Sequence, residues 1–497
     1  MFKNFPGYKI LENIQKKKSH NRERKFPLNA IKLIFIVAIS LVLALMPTES
    51  FGIEGLTVVH QRIIALFVFA ALMWLTETMP SWVTSMVVVT VMLFTVSTSS
   101  FSFLRPEGGV GLVPFKSIFA CFSNPTIMLF IGGFVLAIGL TKVKLDVALA
   151  RVLLKPFGTR SEIVLLGFIL VTAIFSAFVS NTATAAMMLA FLTPVLRSLP
   201  ADGKGRIALA LAIPVGANLG GMMTPIGTPP NMIALDYLSS QGMGIDFVDW
   251  TLKMAPFVII LLVLAWFLLC FLFPFKQKNI KIEIEGEIKW NYKTWSVVVA
   301  FILTIFMWMF GTDLWNIDTN VVAMIPIAIF CATGILTRRD LEEINWSVLW
   351  MVAGGFALGV ALNYSDANSA SLSSLIVKSV PFDQFSPLVV MILAGLICFG
   401  FSNFISHSAA TSLLVPVLGV VASGLGTALD DFGGPQAMLV GIAIASSVSM
   451  ILPISTPPNA IAHSTGFIQQ KDMMLVGIIV GVLGLVLGYG MLIFIGF

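Results

Sequence analysis

The sequence predicts an all-α polytopic membrane protein, with about 11 transmembrane helices plus two re-entrant hairpins in an inverted repeat. Three observations predict it. Of 497 residues, 57% are hydrophobic and only 11% charged, with a mean hydropathy of +0.95, a composition foreign to soluble globular chains. Apolar runs of membrane-crossing length recur along the whole chain. Finally, three landmarks return in order at nearly constant offset. Gly132-Gly133-Phe134 recurs as Gly354-Gly355-Phe356, and a polar tip at Ser180 recurs at Ser406. Pro229-Pro230-Asn231 recurs as Pro457-Pro458-Asn459.

Taken in order, the chain opens on a basic cluster (Lys3, Lys9, Lys16, Lys17, Lys18, Arg22, Arg24 and Lys25). Residues 1–27 read as a cytoplasmic tail held by the positive-inside rule rather than as a nucleic-acid-binding arm. The run Leu28 to Met46 lacks a small-residue cleavage site and reads as a retained span. Spans follow near 62–78, 82–98 and 122–141, then a hairpin over 161–197 and a broken span over 206–240. A span near 252–274 leads to the mixed-charge loop Lys276 to Lys293, and further spans lie near 294–311, 319–337 and 345–363. A second hairpin covers 385–421, a second broken span 435–467, and a last span 472–496. The apolar arms of the first hairpin, roughly 14 to 18 residues each, are short for a crossing.

Charge gives the orientation. Lys142 to Arg160, Arg197 to Arg206, Lys276 to Lys293 and Arg338-Arg339 are basic-rich and fall on one side of this count. Asp313, Asp318, Asp366, Asp430 and Asp431 fall on the other. The expectation is a cell-membrane protein with its N-terminus cytoplasmic and its C-terminus outside. The first hairpin then enters from the cytoplasm and the second from outside, which makes the repeat inverted.

Polar backbone at membrane depth survives only where it is buried in protein or lines a cavity. The two tips and the two breaks are therefore the candidate binding site. A half-helix starts after each tip, near Thr182 and Ser408, and another after each break. Thr228 and Thr456 stand at the N-cap, with Pro229 and Pro457 at the first helical position. Each helix N-terminus offers about +0.5 of charge, so four converging ends offer at most about +2. That matches a dianion without any Arg or Lys. The hydroxyls and the Asn181 amide add neutral donors. Packing alone would explain one such motif, but four breaks in two symmetric pairs point to a site.

Other chemistry finds little support. Cys121, Cys270, Cys331 and Cys398 lie in apolar sequence without metal-ligand spacing, and no cofactor is expected. The sequence shows no Walker loop, so an ATP-driven pump in this chain is disfavoured, and no nucleophile elbow. His407 beside Ser406 and Ser408 has no evident third partner for a hydrolase. A channel would not need two occluding hairpins of opposite orientation.

The tip Ser180-Asn181-Thr182-Ala183-Thr184, the break Gly227-Thr228-Pro229-Pro230-Asn231, their second-half copies and Glu77-Thr78-Met79-Pro80 resemble the divalent anion/sodium symporter family of di- and tricarboxylate carriers. The resemblance implies a homodimer in the lipid bilayer and an elevator mechanism. Residues 28–157 and 294–380 would form a scaffold, and 158–275 and 381–497 a mobile transport domain, with 276–293 as a cytoplasmic linker. It implies C4–C6 substrates such as succinate, malate, fumarate or 2-oxoglutarate. Carried over, the substrate-binding residues are Ser180, Asn181, Thr182, Thr228, Pro229, Ser406, His407, Ser408, Thr456 and Pro457. Sodium is expected in the first half only, near Ser180, Asn181 and Gly227.

The second half departs from the family pattern. Ser406-His407-Ser408 stands where Ser-Asn-Thr is expected, while Ser402-Asn403 lies one helical turn earlier. Exchanging Asn for His removes an amide oxygen suited to sodium and supplies an imidazole. The preferred expectation is a sodium-independent dicarboxylate/dicarboxylate exchanger. The alternative is a sodium-coupled symporter.

Overall fold

The computed structural model describes residues 26–200, 203–280 and 290–496. Most of the basic tail and the centre of the linker loop lie outside the described residues. Within them the structure is helical, in the predicted order. The first part comprises α1 (Phe26–Leu45), α2 (Val58–Thr76), α3 (Ser81–Thr95), the short α4 (Phe115–Ala120) and α5 (Pro125–Lys142). After α6 (Leu145–Leu154) comes the first hairpin, α7 (Ser161–Phe178) and α8 (Asn181–Ser198). The broken span is α9 (Gly205–Gly220) with α10 (Pro229–Ser240), and α11 (Phe247–Leu272) follows it.

The second half repeats the plan. Helices α12 (Tyr292–Trp315), α13 (Thr319–Val322), α14 (Met324–Ala332), α15 (Arg338–Glu342) and α16 (Trp346–Asn363) precede a connector, α17 (Leu372–Ser379). The second hairpin is α18 (Pro387–Phe404) with α19 (His407–Leu425). The second broken span is α20 (Gly434–Ser447) with α21 (Pro457–Ser464), and α22 (Gln470–Phe494) closes the described chain. Ten of the described helices are long and apolar enough to cross a membrane.

Two details differ from the sequence reading. The segment 142–160, given no element in the sequence reading, holds an amphipathic helix, Leu145–Leu154, matched by Leu372–Ser379 in the second half. The hairpin arms also reach crossing length, where the apolar runs read as short for a crossing. Helix α7 has 18 residues, about 27 Å at 1.5 Å per residue, long enough to cross. It turns back because both ends of the hairpin are tied to one face. The Ser161 amide donates to the Lys278 carbonyl at 3.0 Å, and the segment after α8 packs on Phe275 and Gln277.

That face also gathers the basic segments. Lys142 Nζ donates to Asp340 Oδ2 at 2.5 Å and to the Ile335 carbonyl at 2.7 Å, joining the ends of the two half-repeats. Burial pushes the Asp340 carboxyl up, but the bonds from Lys142 and Thr337 outweigh it and hold it below the ordinary carboxylate value. On the opposite face the Gly111 amide donates to Asp366 Oδ2 at 2.6 Å.

Packing separates two groups of helices. In one, α3 lies along α16 and α5 lies on α13 and α14, where the bare Gly132 meets Ala323 and Gly139 meets Phe330. In the other, α7 lies along α9, α10 packs on α19 and α20, and α11 packs on α9 and α22. Glycine permits the tightest of these approaches, as at Gly220 against the backbone of Ala173.

Candidate functional site

The two hairpin tips fold alike, for one local reason. Ser180 (φ −56, ψ 137) and Ser406 (φ −65, ψ 143) sit before the helix with their side chains turned onto its first turn. Each Oγ accepts an amide hydrogen at 3.3 Å, from Ala183 and Ala409 respectively. One of the four orphan N–H groups of each helix is thereby satisfied, and the rest stay open. Helices α8 and α19 therefore begin at Asn181 and His407. Ser402 and Asn403 lie inside α18, one turn earlier, where Asn403 Oδ1 accepts the Ile451 amide at 2.9 Å.

The two breaks are built on the same plan. Thr228 (φ −146, ψ 144) and Thr456 (φ −137, ψ 150) are N-caps in extended conformation, and Pro229 and Pro457 open the helices. Thr456 Oγ1 accepts the Asn459 amide at 3.2 Å, whereas Thr228 holds its place without a side-chain cap bond. The asparagine of each Pro-Pro-Asn motif has a task the sequence reading missed. Asn231 Nδ2 donates to the carbonyls of Gly221 (3.2 Å) and Thr224 (2.8 Å), and Asn459 Nδ2 to those of Met450 (2.8 Å) and Leu452 (3.1 Å). These carbonyls are the ones each break leaves without helical partners, and at membrane depth no water would serve them.

All four N-termini reach one cavity of about 370 Å³. Ser180, Asn181, Thr182, Gly227, Thr228 and Pro229 line it from the first half, and Ser406, His407, Ser408, Thr456 and Pro457 from the second. Among the described residues its one ionisable lining group is His407; no Lys, Arg, Asp or Glu of theirs lines it. The remaining wall comes from the other helix group and was not anticipated, with Ser81 and Trp82 opening α3, Phe134 on α5, and Asn345 and Ser347 at the start of α16. Phe134 belongs to the recurring Gly-Gly-Phe landmark, which was the available signal. Asn345 and Ser347 gave none, since a polar pair at a helix start is ordinary capping chemistry.

The halves also differ at the tips. In the first tip, Asn181 Oδ1 accepts from Ser176 Oγ at 2.6 Å. A β-carbon placed on Gly221 would lie 2.6 Å from Asn181 Oδ1 and 3.1 Å from both Asn181 Nδ2 and the Gly227 carbonyl oxygen, so the amide and a carbonyl close on a bare α-carbon. The register that carries Pro229 onto Pro457 carries Gly221 onto Ser449 in the second half. There His407 Nε2 lies 2.6 Å from the Ser449 carbonyl oxygen, so the ring N–H donates to it. The first tip thus presents an oxygen cradle at Gly221, beside the Asn181 amide nitrogen, and the second presents a nitrogen donor.

The residues from 28 to 496 match the model of the sodium:sulfate symporter transmembrane region family. An uncharacterized transporter of Haemophilus influenzae is 30% identical over 90% of this chain and 92% of its own length. A sodium-dependent dicarboxylate transporter of Staphylococcus saprophyticus is 27% identical over 96% of this chain and 92% of its own. A sodium-dependent high-affinity dicarboxylate transporter of Caenorhabditis elegans is 28% identical over 84% and 80%. Among solved structures, that of the Alcanivorax borkumensis YdaH transporter covers 88% of this chain and 99% of its own, with a TM-score of 0.56 at 14% identity, a likeness of fold.

Proposed function

The chain belongs to the sodium:sulfate symporter family of membrane transporters, a divalent anion/sodium symporter branch of secondary carriers, and from that premise we propose that it carries C4–C6 dicarboxylates. The observation behind the reading is the cavity itself. Four helix N-termini and a ring of hydroxyl and amide donors surround a space without a fixed Lys or Arg among the described residues. Two carboxylates joined by a short carbon chain match that symmetry, each taken by the tip and the break of one half. Relatives named for dicarboxylates support the choice of substrate.

The preferred mode is exchange of one dicarboxylate for another. Where Asn181 offers an oxygen, His407 is bonded to Ser449 and offers none. The dianion is then the chief counter-charge to four helix ends, and moving the site empty leaves up to about +2 unbalanced in a medium of low dielectric. One observation favours a second reading, a symporter using a single sodium ion, because Asn181 Oδ1 and the Gly227 carbonyl converge at Gly221. In either mode the group holding the tips and breaks moves as an elevator against the group holding α3, α5 and α16, in a homodimer. The face carrying Lys142, Arg338 and Arg339 is cytoplasmic by the positive-inside bias, and Ser81 and Asn345 line the site from the other helix group.

The test is counterflow in sodium-free proteoliposomes loaded with unlabelled malate or 2-oxoglutarate and given labelled dicarboxylate outside. Uptake that needs the internal load and ignores sodium is the expected result. Uptake that ignores the load and follows a sodium gradient replaces exchange with symport. No uptake in any arrangement refutes the dicarboxylate reading.

A further inference from the structure

A cavity larger than the one at the tips lies elsewhere among the described residues. A space of about 800 Å³ lies on the other side of the same boundary between the two helix groups. One wall is α10, with Asp236 and Gln241, and α19, with Ser412. The facing wall includes Asn124 and Thr126 at the start of α5, and Asp318 and Asn320 near the start of α13. Across the gap, Thr126 Oγ1 donates to Asp236 Oδ1 at 2.8 Å. Asn124 caps α5, its Oδ1 accepting the Thr126 amide at 2.8 Å, with Pro125 at the first helical position. The Asp236 carboxylate is thus docked on the first turn of an 18-residue helix, where the backbone field favours an anion.

This bond crosses between bodies that hold together separately. Helix α10 packs on α19 and α20, whereas α5 packs on α13 and α14. The repeat adds a second fact. The register that carries Gly132 onto Gly354 carries the start of α5 onto the start of α16, whose Asn345 and Ser347 line the cavity at the tips. The two related helix starts therefore face opposite cavities. One lies beside the site in its present position, and the other is occupied by a carboxylate of the mobile body itself.

We infer that Asp236 is a positioning residue, holding the transport body in the position seen here by docking on Thr126 at the N-terminus of α5. The inference rests on the two-body reading proposed above. Carrying the tips toward the opposite face slides α10 past α5, so this charged hydrogen bond has to break once in every cycle. Its contribution enters the equilibrium between the two positions and leaves the chemistry of the substrate site untouched. A hydrogen bond to a charged group is strong enough to shift that equilibrium about tenfold or more.

Two variants, Thr126→Val and Asp236→Asn, remove the donor and the charge separately. In vesicles of known orientation, half-saturation for the same dicarboxylate is measured from each face. Loss of the latch is expected to tighten the Asp236 face and weaken the other, changing their ratio about tenfold. A merely structural defect would lower the maximal rate from both faces and leave that ratio alone. An unchanged ratio in both variants, with wild-type transport intact, overturns the latch but not the carrier. Absence of dicarboxylate transport in the wild type overturns both.

A second experiment needs no equilibrium shift. In a background with Cys121, Cys270, Cys331 and Cys398 replaced by serine, Thr126→Cys and Asp236→Cys together give a pair that Hg²⁺ can bridge. Bridging is expected to stop transport, keep dicarboxylate binding as read by thermal shift, and reverse with dithiothreitol. Full transport while bridged overturns the inference.

Discussion

Gly221→Ala tests the first tip most directly. The new β-carbon would lie 2.6 Å from Asn181 Oδ1, when ordinary contacts begin near 3.4 Å, so Asn181 must retreat by about 0.8 Å. Asn181 Oδ1 is held by Ser176 Oγ at 2.6 Å, so the retreat strains that bond and shifts an amide that lines the cavity. Overpacking of this size costs about 1–3 kcal/mol. Expressed in binding, that is a loss of roughly tenfold to hundredfold in dicarboxylate affinity. Titration calorimetry on purified protein that remains monodisperse is the assay. The matched control is Ser449→Ala. It removes a hydroxyl bonded to the Phe399 and Ala445 carbonyls while keeping the backbone oxygen that His407 uses, so affinity should change little. If Gly221→Ala binds as the wild type does, or Ser449→Ala proves the more damaging, the oxygen cradle has no role in binding. Under the symport reading, Gly221→Ala should also abolish any stimulation by sodium.

Three further outcomes are expected. Thr456→Ala should lower thermal stability by about 1 kcal/mol through loss of its cap bond, whereas Thr228→Ala, which has no such bond to lose, should cost less stability; equal losses in melting experiments would contradict this. Burial pushes the Asp146 carboxyl up to about 6, against the bond from the Val147 amide. Because the folded value is raised, stability is greatest below about 4 and declines as pH rises toward 6. Asp146→Asn should therefore stabilise the protein at pH 8 by up to about 3 kcal/mol and hardly at all at pH 4, and a pH-independent gain would refute the burial argument. Lys142→Met leaves Asp340, 5% exposed, with only its Thr337 partners. The carboxyl value is depressed in the folded protein, so the stability lost at pH 7, about 1–3 kcal/mol, should vanish as pH falls below about 4. A loss that persists at low pH would mean packing, not charge, is what Lys142 supplies.

Much of this fold is legible in the sequence because the bilayer leaves few choices. A backbone that must satisfy itself in hydrocarbon forms helices, and polar interruptions are tolerated only against protein or a cavity. The repeat landmarks Ser180 and Pro229-Pro230-Asn231 mark those interruptions, and their copies, with that of Gly132-Gly133-Phe134, are offset by nearly one value. Helix starts are equally local, since Ser180, Ser406 and Thr456 cap through bonds to residues three positions on. Whether the hairpin arms cross or turn back was less legible. The turn-back of an 18-residue helix is decided by what its ends are tied to, here Ser161 to Lys278, and hydropathy carries no trace of that.

By itself, then, the sequence determined the membrane class, the order of elements, the inverted repeat, and four polar breaks, which line one cavity without Lys or Arg among the described residues. Each of these follows from interactions within a few residues or from the solvent the chain must face. Only the tertiary structure decided what stands opposite those breaks. Asn345 and Ser347 reach the cavity from another helix group, Asn181 and Gly227 converge on Gly221, His407 turns to Ser449, and Asp236 crosses to Thr126. The partners in these bonds stand far apart in the chain and meet only through helix packing. Hydrogen bonds at such separations depend on how whole helices lie against one another, which short-range periodicity does not encode.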